Sequence, residues 1–76
     1  MKKYMVDDFD GLTSDNSYYF DTMEDAENFA KESSRKDSNK KLWSVYEIEA
    51  DSEEYIADGC YEELVVFAEY QNGEKL

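Results

Sequence analysis

The sequence contains no histidine and no proline, and it has only one cysteine and three glycines. Without histidine it lacks the most common general base, the usual zinc ligand and the partner of most serine and cysteine nucleophiles. Cys60 has no second thiol for an intramolecular disulfide, and we expect it to be a small, buried strand residue. The scattered glycines give no phosphate-binding loop before a helix.

Basic residues and long apolar runs are also scarce. Eight lysines and arginines stand against 20 aspartates and glutamates in 76 residues, which gives a formal net charge of −12. Such a charge repels nucleic acid and anionic membranes and favours basic partners. No run is apolar enough for a signal peptide or a membrane span. We therefore expect a cytoplasmic protein that binds neither nucleic acid nor a membrane directly.

The apolar content predicts a folded chain with little room for an enclosed site. Hydrophobic residues make up 41% and aromatic residues 16% of the sequence, which predicts one folded domain over 1–76. Asp8–Gly11 resembles part of an EF-hand loop, but alignment on Gly11 puts Val6 and Ser17 at the terminal ligand positions. We expect no enzyme activity and no catalytic, cofactor or metal site.

The first half of the chain predicts strands followed by a helix. Segment 3–9 is typical of an edge strand, 10–17 of a polar loop and 18–20 of a brief second strand. Thr22 and Asp25 have the spacing of a helix N-terminal capping box. Apolar residues recur at helical spacing from Met23 to Ala30, which predicts a helix from about Thr22 to about Arg35.

The second half predicts strands. After a loop over 37–41, segment 42–50 indicates a half-buried strand. A charged turn over 51–54 precedes a predicted hairpin around Asp58-Gly59. Segment 61–71 fits a helix or a strand; we favour a strand with Leu64, Val66, Ala68 and Tyr70 on one face, closed by a turn at Asn72-Gly73.

These elements give the order β(β)αβββ. The predicted fold class is α+β, with a small antiparallel sheet of three to five strands and one amphipathic helix packed on one face.

The acidic residues are unevenly distributed. Segment 7–27 has eight acids and no base, and segment 42–76 has ten acids and one lysine. The predicted strands and turns bring many of these acids together with two tyrosines, which supply rigid contact area. The candidate partner-binding residues are Glu47, Glu49, Asp51, Glu53, Glu54, Tyr55, Asp58, Tyr61, Glu62 and Glu63. Such a patch imitates the charge density of duplex DNA, or it is a solvated surface that keeps the protein soluble.

The chain resembles small bacteriophage proteins that act as DNA mimics or anti-CRISPR inhibitors. The resemblance depends on the short length, the lack of His and Pro, the single predicted helix and the acidic runs at Asp7–Asp10 and Glu47–Glu54. The resemblance implies a non-enzymatic inhibitor in a bacterial host cell. Its acidic surface would occupy the basic nucleic-acid-binding groove of a CRISPR effector complex or another nuclease and block DNA binding. The alternative is an adaptor or regulatory domain that binds a partner through its sheet edge or an apolar patch.

Overall fold

The computed structural model describes residues 2–9 and 14–76. Over these residues the chain forms five strands and two helices: β1 (Lys2–Phe9), β2 (Ser14–Phe20), α1 (Met23–Lys36), β3 (Leu42–Glu49), α2 (Glu53–Ala57), β4 (Glu63–Gln71) and β5 (Glu74–Lys75). The strands form one antiparallel sheet in the order β2-β1-β3-β4-β5. Because β1 pairs with β2 on one side and β3 on the other, the expectation of an edge strand over 3–9 is wrong. The predicted α+β class, with one main helix on a small antiparallel sheet, is confirmed.

The predicted helix is confirmed as α1, and local chemistry accounts for both of its ends. The Thr22 hydroxyl accepts a hydrogen bond from the Asp25 amide at 3.2 Å, which satisfies a donor that the first turn leaves unpaired. Acids lie in the first turn and Arg35 and Lys36 in the last, as the helix dipole favours. Ala26 and Ala30 are fully buried, so small side chains bring α1 close to the sheet.

The main core lies between α1 and the sheet. It consists of Val6, Ala26, Ala30, Trp43, Val45, Ala68 and Tyr70, with Tyr4, Tyr18, Phe20, Met23 and Phe29 packed around it. Val6 and Val45 are completely buried and lie opposite each other on β1 and β3. Full burial of each such side chain contributes about 1.5–3 kcal/mol. The Phe29 ring lies 4.7 Å from the Tyr18 ring and 6.1 Å from the Trp43 ring, centroid to centroid.

A second, smaller core lies on the opposite face. Met5, Ile48, Ala50 and Ile56 form it, with Tyr46 and Tyr61 packed against them. Ile56 is the buried residue of α2, so this helix covers part of the second face. As predicted, Ile48 and Ala50 are buried in alternation with the more exposed Glu47 and Glu49.

The predicted hairpin around Asp58-Gly59 and the charged turn at 51–54 are wrong, because part of this segment forms α2. The Ser52 hydroxyl accepts a hydrogen bond from the Tyr55 amide at 3.4 Å, and Glu53 and Glu54 occupy the first turn. Asp58 caps the other end, and Gly59 follows with φ +77°. A glycine in this left-handed conformation ends a helix as readily as it permits a tight hairpin turn.

The predicted loop over 10–17 is also wrong in part. Residues 10–13, with the predicted turn at Asp10-Gly11, lie outside the described residues, but β2 already begins at Ser14. It pairs with β1 from Phe9↔Ser14 to Tyr4↔Phe20. Backbone pairing along β1 therefore outweighs the low strand propensity of the polar residues in this segment.

Segment 61–71 contains a strand, as predicted. The four residues predicted to lie on one of its faces are divided between the two faces. Val45 pairs with Ala68 and Tyr46 with Val66, so Phe67 is an additional residue that forms a β-bulge. Ala68 and Tyr70 belong to the core beneath α1, whereas Leu64 and Val66 lie on the α2 side. The expectation of one face from Leu64 to Tyr70 is therefore wrong.

The predicted turn at Asn72-Gly73 is confirmed. Both residues have positive φ, at 56° and 81°, as a two-residue hairpin turn requires. The turn connects β4 to β5, which pairs with Tyr70 and Gln71.

Candidate functional site

The candidate binding residues lie on the connection between β3 and β4 and on the strand ends that flank it. Glu47 and Glu49 are at the end of β3, Glu63 begins β4, and α2 lies between them. We call the acids of this segment the acidic end: Glu47, Glu49, Asp51, Glu53, Glu54, Asp58, Glu62 and Glu63. The sequence predicts these residues on strands and turns, whereas the structure places Glu53 and Glu54 on α2 instead of a turn.

The acidic end extends over both faces of the sheet. Glu47, Glu49, Glu63, Lys2 and Val65 line an open groove of about 360 Å³. Glu47 and Glu49 alternate with Ile48 of the second core and share a strand face with Val45 of the main core, so the groove is on the α1 side. The residues of α2 lie on the opposite side, where Ile56 packs on Met5 and Ile48. The acids therefore do not form one flat face of the sheet.

Two lysines pair with this end of the sheet. Lys2 Nζ lies 2.7 Å from the Glu47 carboxylate. Lys3 Nζ lies 2.7 Å from Asp21 and 3.4 Å from Glu53, and the hydrogen bond to Asp21 is the main reason that the pKa of Lys3 is raised. Within the described part of the chain, Glu54 and Asp58 form no ion pair. The acidic end therefore retains negative charge that the protein does not neutralise.

Carboxylates lie close together around Glu62. Its amide donates to the Glu49 carbonyl at 2.8 Å, which holds the start of β4 against the end of β3. A hydrogen bond between the side chains of Glu62 and Asp51, together with the charge of Asp51, raises the pKa of Glu62, and Glu49 adds to the effect. The acids are thus held close enough to disfavour full ionisation.

The two candidate tyrosines have different surroundings. Tyr55, on α2, is 47% exposed and available for contact. Tyr61 packs on the second core, and its hydroxyl oxygen lies 2.8 Å from that of Tyr19 and 3.8 Å from Met5 Sδ. Burial, followed by the hydrogen bond to Tyr19, raises the pKa of Tyr61 to about 12. Tyr61 therefore supports the site more than it presents a free contact surface.

Strand β4 carries a row of exposed apolar residues that no sequence pattern predicts. Leu64, Val65, Val66 and Phe67 are each about half exposed, at 47%, 46%, 53% and 50%. Four consecutive apolar residues usually indicate a strand that is covered on both faces. Within the described residues, β5 pairs only with the other end of β4, at Tyr70 and Gln71. We call the outer edge of residues 63–68 the β4 edge.

Cys60 is exposed and follows α2, so the expectation of a buried strand residue is wrong. Its Sγ lies 4.0 Å from the Asp58 carbonyl oxygen. No group of three or more acids or cysteines that could hold a metal ion occurs among residues 2–9 and 14–76.

Comparison of the chain with protein-family models, curated proteins and solved structures found no match in any of the three. Neither of the two described helices is long and apolar enough to cross a membrane. The geometry of the chain therefore carries the functional argument.

Proposed function

We propose that this is a cytoplasmic binding protein that inhibits a basic nucleic-acid-binding protein. The acidic end occupies the groove that otherwise holds nucleic acid, and so blocks DNA binding. The observation that carries the proposal is the close grouping of Glu49, Asp51 and Glu62, in which the Glu62 amide donates to the Glu49 carbonyl and the Glu62 side chain shares a hydrogen bond with Asp51. The resemblance to phage inhibitors favours a CRISPR effector or another nuclease of the bacterial host as the target.

Charge density is the physical basis of this competition. Duplex DNA carries about one negative charge per 1.7 Å of helix axis, and its binding proteins provide lysines and arginines at a matching density. The acidic end places eight carboxylates on a segment of 17 residues, 47–63. A basic groove that binds this segment gains the same kind of charge pairing that it gains with phosphates.

The acidic end is also held in place before binding. Ile48 and Ile56, which lie between acids of this segment, are buried against Met5 in the second core. The Glu62–Glu49 backbone hydrogen bond closes the connection. Because these contacts fix the backbone in advance, binding costs less conformational entropy than it would for a disordered acidic tail.

Charge reversal tests the proposal. Changing Glu49, Glu53 and Glu54 to lysine should abolish capture of the target from a bacterial lysate, and DNA should displace the target from the unchanged protein. The matched control changes Glu24, Glu32 and Glu74, which are exposed elsewhere, to lysine and alters the net charge equally. Circular dichroism checks that both variants fold. Normal capture by a folded Glu49/Glu53/Glu54 variant would exclude the acidic end as the contact surface.

The exposed apolar residues of β4 favour a second candidate function, that of an adaptor domain whose charge serves solubility. In that case the triple charge reversal should leave capture of the partner nearly unchanged.

A further inference from the structure

The β4 edge combines open backbone with exposed apolar side chains. Among the described residues no strand pairs with its outer side, since β5 reaches only Tyr70 and Gln71 and the Leu76 amide donates to the Glu69 carbonyl at 2.8 Å. Leu64 to Phe67 are all about half exposed beside it. Natural proteins usually protect such an edge with charges, proline or a covering segment, because it can pair with another strand.

The two sides of the β4 edge differ in chemistry. On the α2 side, Leu64 lies opposite Ile48 and Val66 opposite Tyr46, so these residues extend the apolar surface of the second core. On the α1 side, Glu63 lies opposite Glu49 and Val65 opposite Glu47, and these residues line the acidic groove. A strand added at this edge would meet Leu64 and Val66 on one face. On the other face it would meet Glu63 and Val65, with the carboxylates of Glu47 and Glu49 one strand further in.

The difference between the two faces determines which sequence a strand needs in order to bind at the β4 edge. Side chains of a strand alternate between its two faces, so a complementary strand has apolar residues in alternation with lysine or arginine. A second copy of this chain fits poorly, because each copy carries a net charge of −12 and would bring Glu63 and its neighbouring acids to the contact.

We propose that the β4 edge binds an extended segment of the partner protein in which apolar residues alternate with lysine or arginine, and that this segment adds a sixth strand to the sheet. The proposal rests on the proposed function, since it takes the partner to be basic, and it specifies how that partner is held. Backbone hydrogen bonds supply affinity, while Leu64, Val66 and the acidic groove select the side chains.

Peptide binding tests the proposal directly. The probe is a short synthetic peptide of alternating valine and lysine, labelled for fluorescence anisotropy. One derivative is methylated on its backbone amides, and its control carries the same number of methyl groups on the lysine Nζ atoms, which remain charged. We expect backbone methylation to weaken binding at least about tenfold and side-chain methylation to change it little. A third peptide with glutamate in place of lysine should also bind at least about tenfold more weakly.

Two protein variants locate the contact. Val66→Thr should weaken binding of the valine–lysine peptide more than Val65→Thr, because only Val66 lies on the apolar side. Equal effects of the two folded variants would contradict the assignment of faces.

The remaining outcomes separate this proposal from the proposed function. If backbone methylation has no effect while the glutamate peptide fails to bind, strand addition is wrong and binding by charge stands. If no peptide binds while the lysate capture depends on Glu49, Glu53 and Glu54, strand addition is likewise overturned. If the free protein sediments as a dimer that Val66→Lys dissociates, a second copy occupies the edge and the proposal fails.

Discussion

One carboxylate, Asp37, organises the connection between α1 and β3. It accepts hydrogen bonds from the amides of Asn39 and Lys41 at 3.0 and 3.1 Å and from the Trp43 indole Nε1 at 3.0 Å. Burial by itself would raise the pKa of Asp37, but the hydrogen bonds, that from Trp43 foremost, outweigh it and lower the pKa. A single side chain thus ties the end of the helix to a core tryptophan.

Asp37→Ala should lower the free energy of unfolding by about 2 kcal/mol, because it leaves two amides and an indole N–H without their acceptor. Urea unfolding followed by Trp43 fluorescence measures the loss. Since the folded pKa is lowered, the contribution of the carboxylate is present above the unfolded pKa of about 3.9 and is lost as the pH falls through the folded value. Ser38→Ala, in the same loop, is the control and should change stability little.

The effect of Glu62 on stability changes with pH in the opposite direction to that of Asp37. Its folded pKa is raised above the ordinary value of 4.5, first by the hydrogen bond with Asp51 and then by the charge of Asp51. The native protein therefore holds this proton to a higher pH than the unfolded chain does, and stability falls as the pH rises from 4.5 through the folded value.

Glu62→Gln should remove this loss and make the protein more stable than the wild type at neutral pH. Urea midpoints measured across the acid-to-neutral range test the prediction, with Glu74→Gln, exposed on β5, as the control. A variant with the same pH dependence as the wild type would show that Asp51 and Glu62 do not interact in solution.

At the scale of elements, the two glycines with positive φ differ in their surroundings. Gly59 has φ +77° and open space where a Cβ would lie. Gly73 has φ +81°, and a Cβ there would lie 3.0 Å from Arg35 Cβ; its amide also donates to the Ser34 hydroxyl at 3.0 Å. The turn between β4 and β5 is therefore packed directly against the last turns of α1.

Gly59→Ala should cost about 1 kcal/mol, the backbone cost of a left-handed alanine, whereas Gly73→Ala should cost more because α1 and the turn must also separate. Thermal unfolding compares the two variants. Equal melting temperatures would mean that Arg35 moves away from the added Cβ without loss of stability.

The elements that the sequence predicted well are those fixed by local chemistry. Helix α1 has a capping hydroxyl at Thr22 and apolar residues at helical spacing, and both act within a few residues of each other. Helix α2 was missed because Asp58-Gly59 suits the end of a helix and a hairpin equally, and only the burial of Ile56 against Met5 separates them. The bulge at Phe67 depends on the pairing of β4 with β3, which no local pattern reveals.

For the whole molecule, the main effect that opposes folding is the net charge of −12. Repulsion among the acids destabilises the compact state, and salt screens it over a Debye length of about 10 Å at 0.1 M. Added sodium chloride should therefore raise the urea midpoint of the wild type. The Glu49/Glu53/Glu54-to-lysine variant has a net charge of −12 + 6 = −6 and should respond less. A midpoint that falls with salt would show that the ion pairs of the lysines and of Arg35 outweigh the repulsion.

The candidate site could be predicted in part at this scale. Acids that lie close together in sequence, from Glu47 to Glu63, stay close wherever the strands turn, so their grouping follows from the chain itself. The exposure of Leu64 to Phe67 could not be predicted, because it depends on what covers them. One long helix covers part of one face of the sheet, and α2 is too short to cover the rest of the other.

The bulge at Phe67 divides β4 into two parts that differ in burial. Beyond it, Ala68 and Tyr70 pack beneath α1, and substitutions there affect folding. Before it, Leu64 to Val66 contribute little to either buried core, so selection can alter them without refolding the protein. Under the proposed function, a change in the surface of the target can be met by changes in this half of the strand while the core residues stay the same.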